Sequence, residues 1–110
     1  MSRCIPKVLI EGEHFNISIC SSCRRIGLCY KNVLSGFDSE HFIGFAQSII
    51  LTSFEKFALP FPPHGEDRIV IKTCHEDIQF SFDHLEYEEL KNALQQALLL
   101  LEAERVLKPG

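Results

Sequence analysis

The stretch FNISICSSCRRIGLCY, residues 15–30, decides the fold, because apolar and polar residues alternate on either side of a polar corner. Alternation with a period of two is typical of half-buried β-strands. The pattern predicts an antiparallel hairpin that pairs Ile19 with Ile26, Ile17 with Leu28 and Phe15 with Tyr30. A slip of one residue would turn all of these side chains outward, so the register is strongly specified. Residues 20–25, CSSCRR, are the Cys-x-x-Cys corner of this hairpin.

The segment before this hairpin predicts a further strand. Apolar residues again occupy every second position, and residues 11–14 form a short polar connection in which Gly12 accommodates a turn. Matching the apolar faces predicts three pairs, namely Ile10 with Phe15, Val8 with Ile17 and Pro6 with Ile19. Three strands then share one apolar face.

This register places a third cysteine at the corner. Cys4 falls beside Ser21, so its thiol is expected close to those of Cys20 and Cys23. Zinc takes four ligands, usually Cys or His, and a Cys-x-x-Cys on a hairpin supplies two of them. Cys4, Cys20 and Cys23 are therefore the predicted metal ligands, with zinc as the cofactor. The fourth ligand stays open between Cys74, His75, His64 and water.

Two other interpretations of these cysteines remain open. A redox dithiol is one, although thioredoxin-type motifs open a helix whose N-terminus lowers the thiol pKa, whereas this motif joins strands. The other is that the thiols are small, part-buried groups packed at a turn. Cys29 lies in mid-strand, too far from the corner to join the set.

The middle of the chain predicts a helix followed by a loop. Residues 33–37 extend or bend the third strand, after which Asp38 or Ser39 caps the helix. Its predicted core face consists of Phe42, Phe45, Ala46, Ile49, Ile50 and Ser53. Residues 57–65 contain three prolines, which predicts an irregular loop that Phe57 and Phe61 anchor to the core.

A second hairpin is predicted over residues 69–82, where Ile71 lies opposite Phe80 and Ile69 opposite Phe82. Cys74 and His75 lie in its tip. A polar hairpin tip is the default expectation for them, and they reach the first site only if the two turns share an end of the molecule.

The last predicted helix begins with the capping pair Asp83 and Glu86 and runs to about residue 107. Its core stripe consists of Leu90, Ala93, Leu94, Ala97, Leu98 and Leu101. Leu99 and Leu100 fall outside the stripe, and the helix is longer than the strands it covers. We therefore expect a homodimer that forms through this C-terminal helix.

Composition bounds the class of protein. The 110 residues are 45% hydrophobic and 24% charged, which is typical of one globular domain, here residues 1–110. The formal net charge of −4 disfavours general nucleic-acid binding. No apolar run is long enough for a membrane span, and no signal peptide is expected, so we predict a cytoplasmic protein without membrane partners. Five cysteines, an odd number, argue against a disulfide framework.

An early cysteine, the Cys-x-x-Cys corner, the strand IGLCYKN over residues 26–32 and the closing helix over residues 85–101 resemble a family of small uncharacterised bacterial proteins, chiefly of the Bacteroidetes. The resemblance covers most of the chain. It implies a shared cysteine set, here Cys4, Cys20 and Cys23, with no assigned activity. Cys74 and His75 are not part of the pattern it implies.

Together these patterns predict an α+β fold: a two-layer sandwich of about five mostly antiparallel strands, with two helices on one face, in the order β-β-β-α-β-β-α. The function we expect is that of a small non-enzymatic binding or interaction protein with a structural zinc at the three cysteines. The alternative is a thiol-based redox or metal-sensing protein that uses the same residues.

Overall fold

The computed structural model describes residues 5–61, 65–73 and 77–107. Within these residues the strands are β1 (Pro6–Glu11), β2 (Phe15–Cys20), β3 (Ile26–Tyr30), β4 (Val33–Phe37), β5 (Leu59–Phe61), β6 (Glu66–Lys72) and β7 (Gln79–Phe82). The helices are α1 (Ser39–Leu51), α2 (Phe54–Phe57) and α3 (His84–Leu107). The strands form two antiparallel sheets, ordered β1-β2-β3-β4 and β5-β6-β7. The predicted α+β class is confirmed, but the predicted five strands, two helices and element order are wrong in detail.

The hairpin of β2 and β3 has the predicted register. Its partners are Phe15 with Tyr30, Ile17 with Leu28 and Ile19 with Ile26. All six of these side chains are buried. They belong to one core cluster, to which β6, β7 and all three helices also contribute buried residues.

The predicted register of β1 against β2 is wrong. Val8 lies opposite Ser18, and a β-bulge between Val8 and Ile10 then places Ile10 opposite Ile17. The bulge turns both Leu9 and Ile10 toward the core cluster and leaves Val8 half exposed. Strict alternation placed Ile10 inward correctly but selected Val8 where the structure buries Leu9, because three consecutive apolar residues do not show which of them faces inward.

Residues 33–37, predicted to extend or bend the third strand, form the separate strand β4. The chain turns at Lys31 and Asn32, and Tyr30 then pairs with Val33. Lys31 adopts a φ of 54°, in the left-handed region that glycine and asparagine adopt most readily. Because lysine seldom adopts this conformation, the turn at residues 31 and 32 was not predicted from the sequence.

The segment predicted as an irregular loop is partly regular. The short helix α2 precedes it, and β5 then pairs Pro60 with Asp67 on β6. Proline is tolerated there because β5 is an edge strand, whose outer N–H groups need no partner. Phe57 does not anchor the segment, since its side chain is 60% exposed and the neighbouring Phe54 is buried instead. The side chain of Phe61 is not among those that the structure describes, so the predicted anchoring by Phe61 stays a prediction.

The hairpin of β6 and β7 has the predicted register, with Ile69 opposite Phe82 and Ile71 opposite Phe80. Both helix starts are also confirmed. The Asp38 side chain accepts a hydrogen bond from His41 N at 2.8 Å at the start of α1. Asp83 and Glu86 form a reciprocal capping box, in which each backbone N–H donates to the other's carboxylate.

Helix α3 packs on α1 and on strands of both sheets, β1 and β2 in the first and β6 and β7 in the second. The buried face of α3 includes Leu90, Leu94 and Ala97, which are fully buried and belong to the predicted core stripe. Among the described residues, no helix combines the length and the apolar character that crossing a membrane demands.

Candidate functional site

The Cys-x-x-Cys corner closes the β2–β3 hairpin with a tight set of backbone hydrogen bonds. Arg24 N donates to Cys20 O at 3.0 Å, and Cys20 N donates to Arg25 O at 2.8 Å. Arg24 takes a φ of 64°, which lets the chain reverse within five residues. Both cysteines of the motif therefore stand on one compact turn.

The Cys20 sulfur receives hydrogen bonds from its own turn. Cys23 N donates to Cys20 Sγ at 3.4 Å, and Ser22 Oγ lies 3.3 Å from the same sulfur. The backbone bond from Cys23, followed by the Ser22 hydroxyl, lowers the pKa of the Cys20 thiol to about 6 against the opposing effect of burial. At neutral pH Cys20 is therefore mainly a thiolate, the form that binds metals and attacks electrophiles.

The two thiols of the corner differ in exposure. Cys20 is buried beneath the turn and Cys23 is exposed. The Cys23 side chain is also a hydrogen-bond partner of the Cys20 sulfur, which further lowers the pKa of Cys20. The pair thus presents two neighbouring sulfur atoms: that of Cys20 accepts a backbone hydrogen bond, and that of Cys23 belongs to an exposed residue.

Cys4, the third predicted ligand, lies outside the described residues. The nearest described residue is Ile5, whose carbonyl accepts a hydrogen bond from Ser21 N at 3.3 Å. Ile5 therefore occupies the position opposite Ser21 that was predicted for Cys4. The start of β1 lies at the corner, and the approach of Cys4 itself stays a prediction.

The fourth ligand is not found among the described side chains. No third His, Cys, Asp or Glu ligand atom joins Cys20 and Cys23 within residues 5–61, 65–73 and 77–107. Cys29 is excluded, as expected, because it pairs with Asn16 near the other end of β2. His64, Cys74 and His75 lie outside the described residues.

The end of β6 nevertheless lies on the corner's side of the molecule. Lys72 and Thr73 line a small cavity with Phe37. Phe37 is the strand partner of Ile26, which directly follows the corner. The two hairpins belong to separate sheets, an arrangement that the sequence left open. The tip of the second hairpin, residues 74–76, lies outside the described residues, so its approach to the corner stays a prediction.

An ion pair that sequence reasoning missed fastens the corner to α3. Arg24 Nη1 lies 2.8 Å from Glu104 Oε1, 80 positions away along the chain. Beside this pair lies a cleft of about 660 Å³ between the corner, α1 and α3. Its lining includes Ser21 and Arg24, Ile43 and Gln47 of α1, and Leu98 and Leu101 of α3. Only the packing of α3 against the hairpin end creates this cleft.

The fold and the corner define a small α+β protein with a stabilised thiolate in a hairpin turn. The chain belongs to DUF6686, a family of unknown function, whose family model matches residues 4–102. No curated protein and no solved structure is significantly similar to it. The predicted membership of an uncharacterised family is thus confirmed.

Proposed function

We propose that this protein is a small non-enzymatic binding or interaction protein in which Cys20 and Cys23, together with Cys4, hold a structural zinc ion. One observation carries the proposal: the backbone N–H of Cys23 donates to the Cys20 sulfur, and this bond is the largest of the effects that lower the pKa of Cys20 to about 6. Thiolates are the zinc ligands, so a turn that already stabilises one of them binds zinc with less competition from protons.

The exposure of the two sulfurs favours a metal over a catalytic role. A nucleophilic cysteine needs both a low pKa and access to its substrate. Here the thiol with the lowered pKa is the buried one, Cys20, and the exposed one is Cys23. A metal ion bound at the open side of Cys23 would use both sulfurs.

A zinc ion at this corner would also have a structural purpose. Strand β1 is an edge strand, and its first three residues are exposed. Bonding Cys4 to the same ion as Cys20 and Cys23 would fasten the start of β1 to the corner, where the Ser21–Ile5 bond of 3.3 Å is long. The metal would thereby hold an edge of the sheet whose first residues are exposed.

Metal analysis tests the proposal. Protein purified without added zinc is expected to contain about one zinc ion per chain. Cys4→Ser and Cys20→Ser should lose the ion and unfold at a lower temperature, because structural zinc contributes directly to folding. Cys29→Ser is the matched control, since it removes a thiol from the same hairpin outside the site, and it should keep the metal.

Cys74→Ser and His75→Ala, measured in the same way, test whether the second hairpin supplies the fourth ligand. Protein that contains no zinc and takes up none on titration would rule out the metal site.

The second candidate function is a thiol-based redox switch. The observation that favours it is the pairing of a thiolate, Cys20, with the neighbouring thiol of Cys23. In metal-free protein, hydrogen peroxide would oxidise the Cys20 thiolate to a sulfenic acid as its O–O bond breaks and one water forms. The Cys23 sulfur would then displace the sulfenic oxygen as a second water, which forms the disulfide and completes the two-electron reduction of the peroxide. Rapid formation of that disulfide in protein that binds no zinc would favour this function over the structural metal.

A further inference from the structure

A second group of ligand side chains lies at the opposite end of the hairpin from the cysteines. Glu13 and His14 belong to the β1–β2 connection, and Glu89 lies in the second turn of α3. One ligand atom from each of the three lies within 4.8 Å of the other two. The closest approach is 3.3 Å, between His14 Nδ1 and Glu89 Oε2.

We propose that Glu13, His14 and Glu89 form a second cation site, which takes a divalent transition-metal ion and for which Mn²⁺ is a suitable probe. Carboxylates suit hard divalent cations, and an imidazole shifts the preference toward transition metals. The set contains no sulfur, so its chemistry differs from that of the cysteine corner. The proposal is independent of the zinc proposal and rests on different residues.

The observed spacing fits two ligands of one ion. Donors about 2.1 Å from a metal, separated by bond angles of about 90° to 110°, lie about 3.0 to 3.4 Å apart. The His14–Glu89 separation of 3.3 Å falls in this range and is long for a hydrogen bond. Glu13 is exposed, so its carboxylate can rotate inward to close the remaining distance.

The backbone holds two of the three ligands in place. His14 O accepts a hydrogen bond from Lys31 N at 3.0 Å, and the next residue, Phe15, is buried and stacks on Tyr30. Glu89 lies on α3 between the buried residues Tyr87 and Leu90. A site that is built from two packed elements needs little rearrangement to bind an ion.

Charge also favours a cation here. Glu13 and Glu89 bring two carboxylates close together, and Glu86 lies one helical turn before Glu89. The neighbouring Lys31 pairs with Glu86, at 3.5 Å, rather than with the proposed ligands. The competing explanation is a simple histidine–carboxylate ion pair between His14 and Glu89, and the experiment separates the two.

Electron paramagnetic resonance of free Mn²⁺, titrated with the metal-free chain of 110 residues, tests the site, because thiolates bind this ion poorly. The expected result is saturable loss of the free-ion signal, with an affinity that Glu89→Gln lowers by about tenfold or more. Glu102→Gln is the matched control: it lies on the same helix at the far end and should bind as the unmodified chain does.

A second measurement does not depend on a variant. Bound Mn²⁺ should broaden the backbone amide resonances of His14 and Glu89 before those of the Cys-x-x-Cys corner. An unchanged free-ion signal, equal loss of affinity in both variants, or broadening centred elsewhere would overturn the proposal.

Discussion

The backbone around Cys20 and Arg24 sets the chemistry of the corner. Arg24 takes a left-handed conformation, which costs a non-glycine residue about 1–2 kcal/mol. Its guanidinium recovers part of that cost by pairing with Glu104, a carboxylate that is only 14% exposed. The backbone of residues 20–22, which precede Arg24 in the same turn, brings the N–H of Cys23 to the Cys20 sulfur. The lowered pKa of Cys20 is thus a consequence of the turn's shape.

The pH dependence of Cys20 alkylation follows from this geometry. In reduced, metal-free protein, its reaction with iodoacetamide should rise with pH through a midpoint of about 6, measured peptide by peptide by mass spectrometry. Because folding lowers this pKa, the thiolate stabilises the fold fully above the pKa of an unfolded thiol, and this stabilisation is lost as the pH falls through about 6.

The control for this prediction is the same protein in urea. There the midpoint for Cys20 should return to about 8.5, the value for an unperturbed thiol. Equal midpoints in folded and unfolded protein would show that the turn does not stabilise the thiolate.

At the scale of elements, Glu86 connects both sheets through α3. Its carboxylate accepts hydrogen bonds from the Tyr30 hydroxyl on β3 and from Asp83 N, and it lies 3.4 Å from Arg68 Nη2 on β6. Burial raises the pKa of this carboxyl, but the Tyr30 hydroxyl, the Asp83 amide and Lys31 outweigh that effect and lower it overall. Burial and the neighbouring Glu86 raise the pKa of Tyr30 in turn.

Glu86→Gln should lower the free energy of unfolding by about 2–3 kcal/mol at pH 7, because it removes charge-assisted bonds of a partly buried network. Urea denaturation measures the loss. Since folding lowers the Glu86 pKa, its contribution is present above the pKa of an unfolded glutamate and disappears as the pH falls through the folded value. The difference in unfolding free energy between the variant and the unmodified protein should therefore become smaller below about pH 4.

The exposed Glu102 again provides the control. Glu102→Gln should change the unfolding free energy by less than about 0.5 kcal/mol. A Glu86→Gln variant as stable as this control at pH 7 would show that the network does not hold the sheets to α3.

At the scale of the whole molecule, α3 sets the long dimension. Its 24 residues span about 36 Å, and the described chain measures 50 × 27 × 25 Å. Leu99 is 72% exposed near the end of the helix, and its neighbour Leu100 is also exposed. Apolar side chains exposed near one end of a helix suit the homodimer expected from the sequence, which stays a prediction.

Sedimentation velocity at micromolar concentration tests the dimer. The unmodified chain should sediment as a dimer, and Leu99→Asp should shift it to the monomer by placing a charge in the interface. Leu85→Asp is the matched control, because Leu85 is 71% exposed on the same helix but at its other end. A monomeric unmodified chain, or equal effects of the two variants, would exclude this interface.

Features that depend on neighbours along the chain could be predicted from the sequence. The β2–β3 and β6–β7 registers follow from alternation across one short turn, and the Asp83–Glu86 capping box joins residues three positions apart. The position of the Cys-x-x-Cys motif in the turn between β2 and β3 could also be predicted from the sequence. The stabilised Cys20 thiolate was not, because it depends on a backbone hydrogen bond inside the turn.

Tertiary structure decided what distant residues do together. The β1 bulge turns Leu9 and Ile10 inward because the core beneath accommodates both, a choice that three consecutive apolar residues leave open. Helix α3 likewise packs on strands of both sheets, a set of contacts between segments far apart in the chain. The Arg24–Glu104 pair and the Glu13–His14–Glu89 group exist only because α3 lies along the hairpin. Periodicity identifies the face that each segment buries, whereas packing selects the partner that face meets.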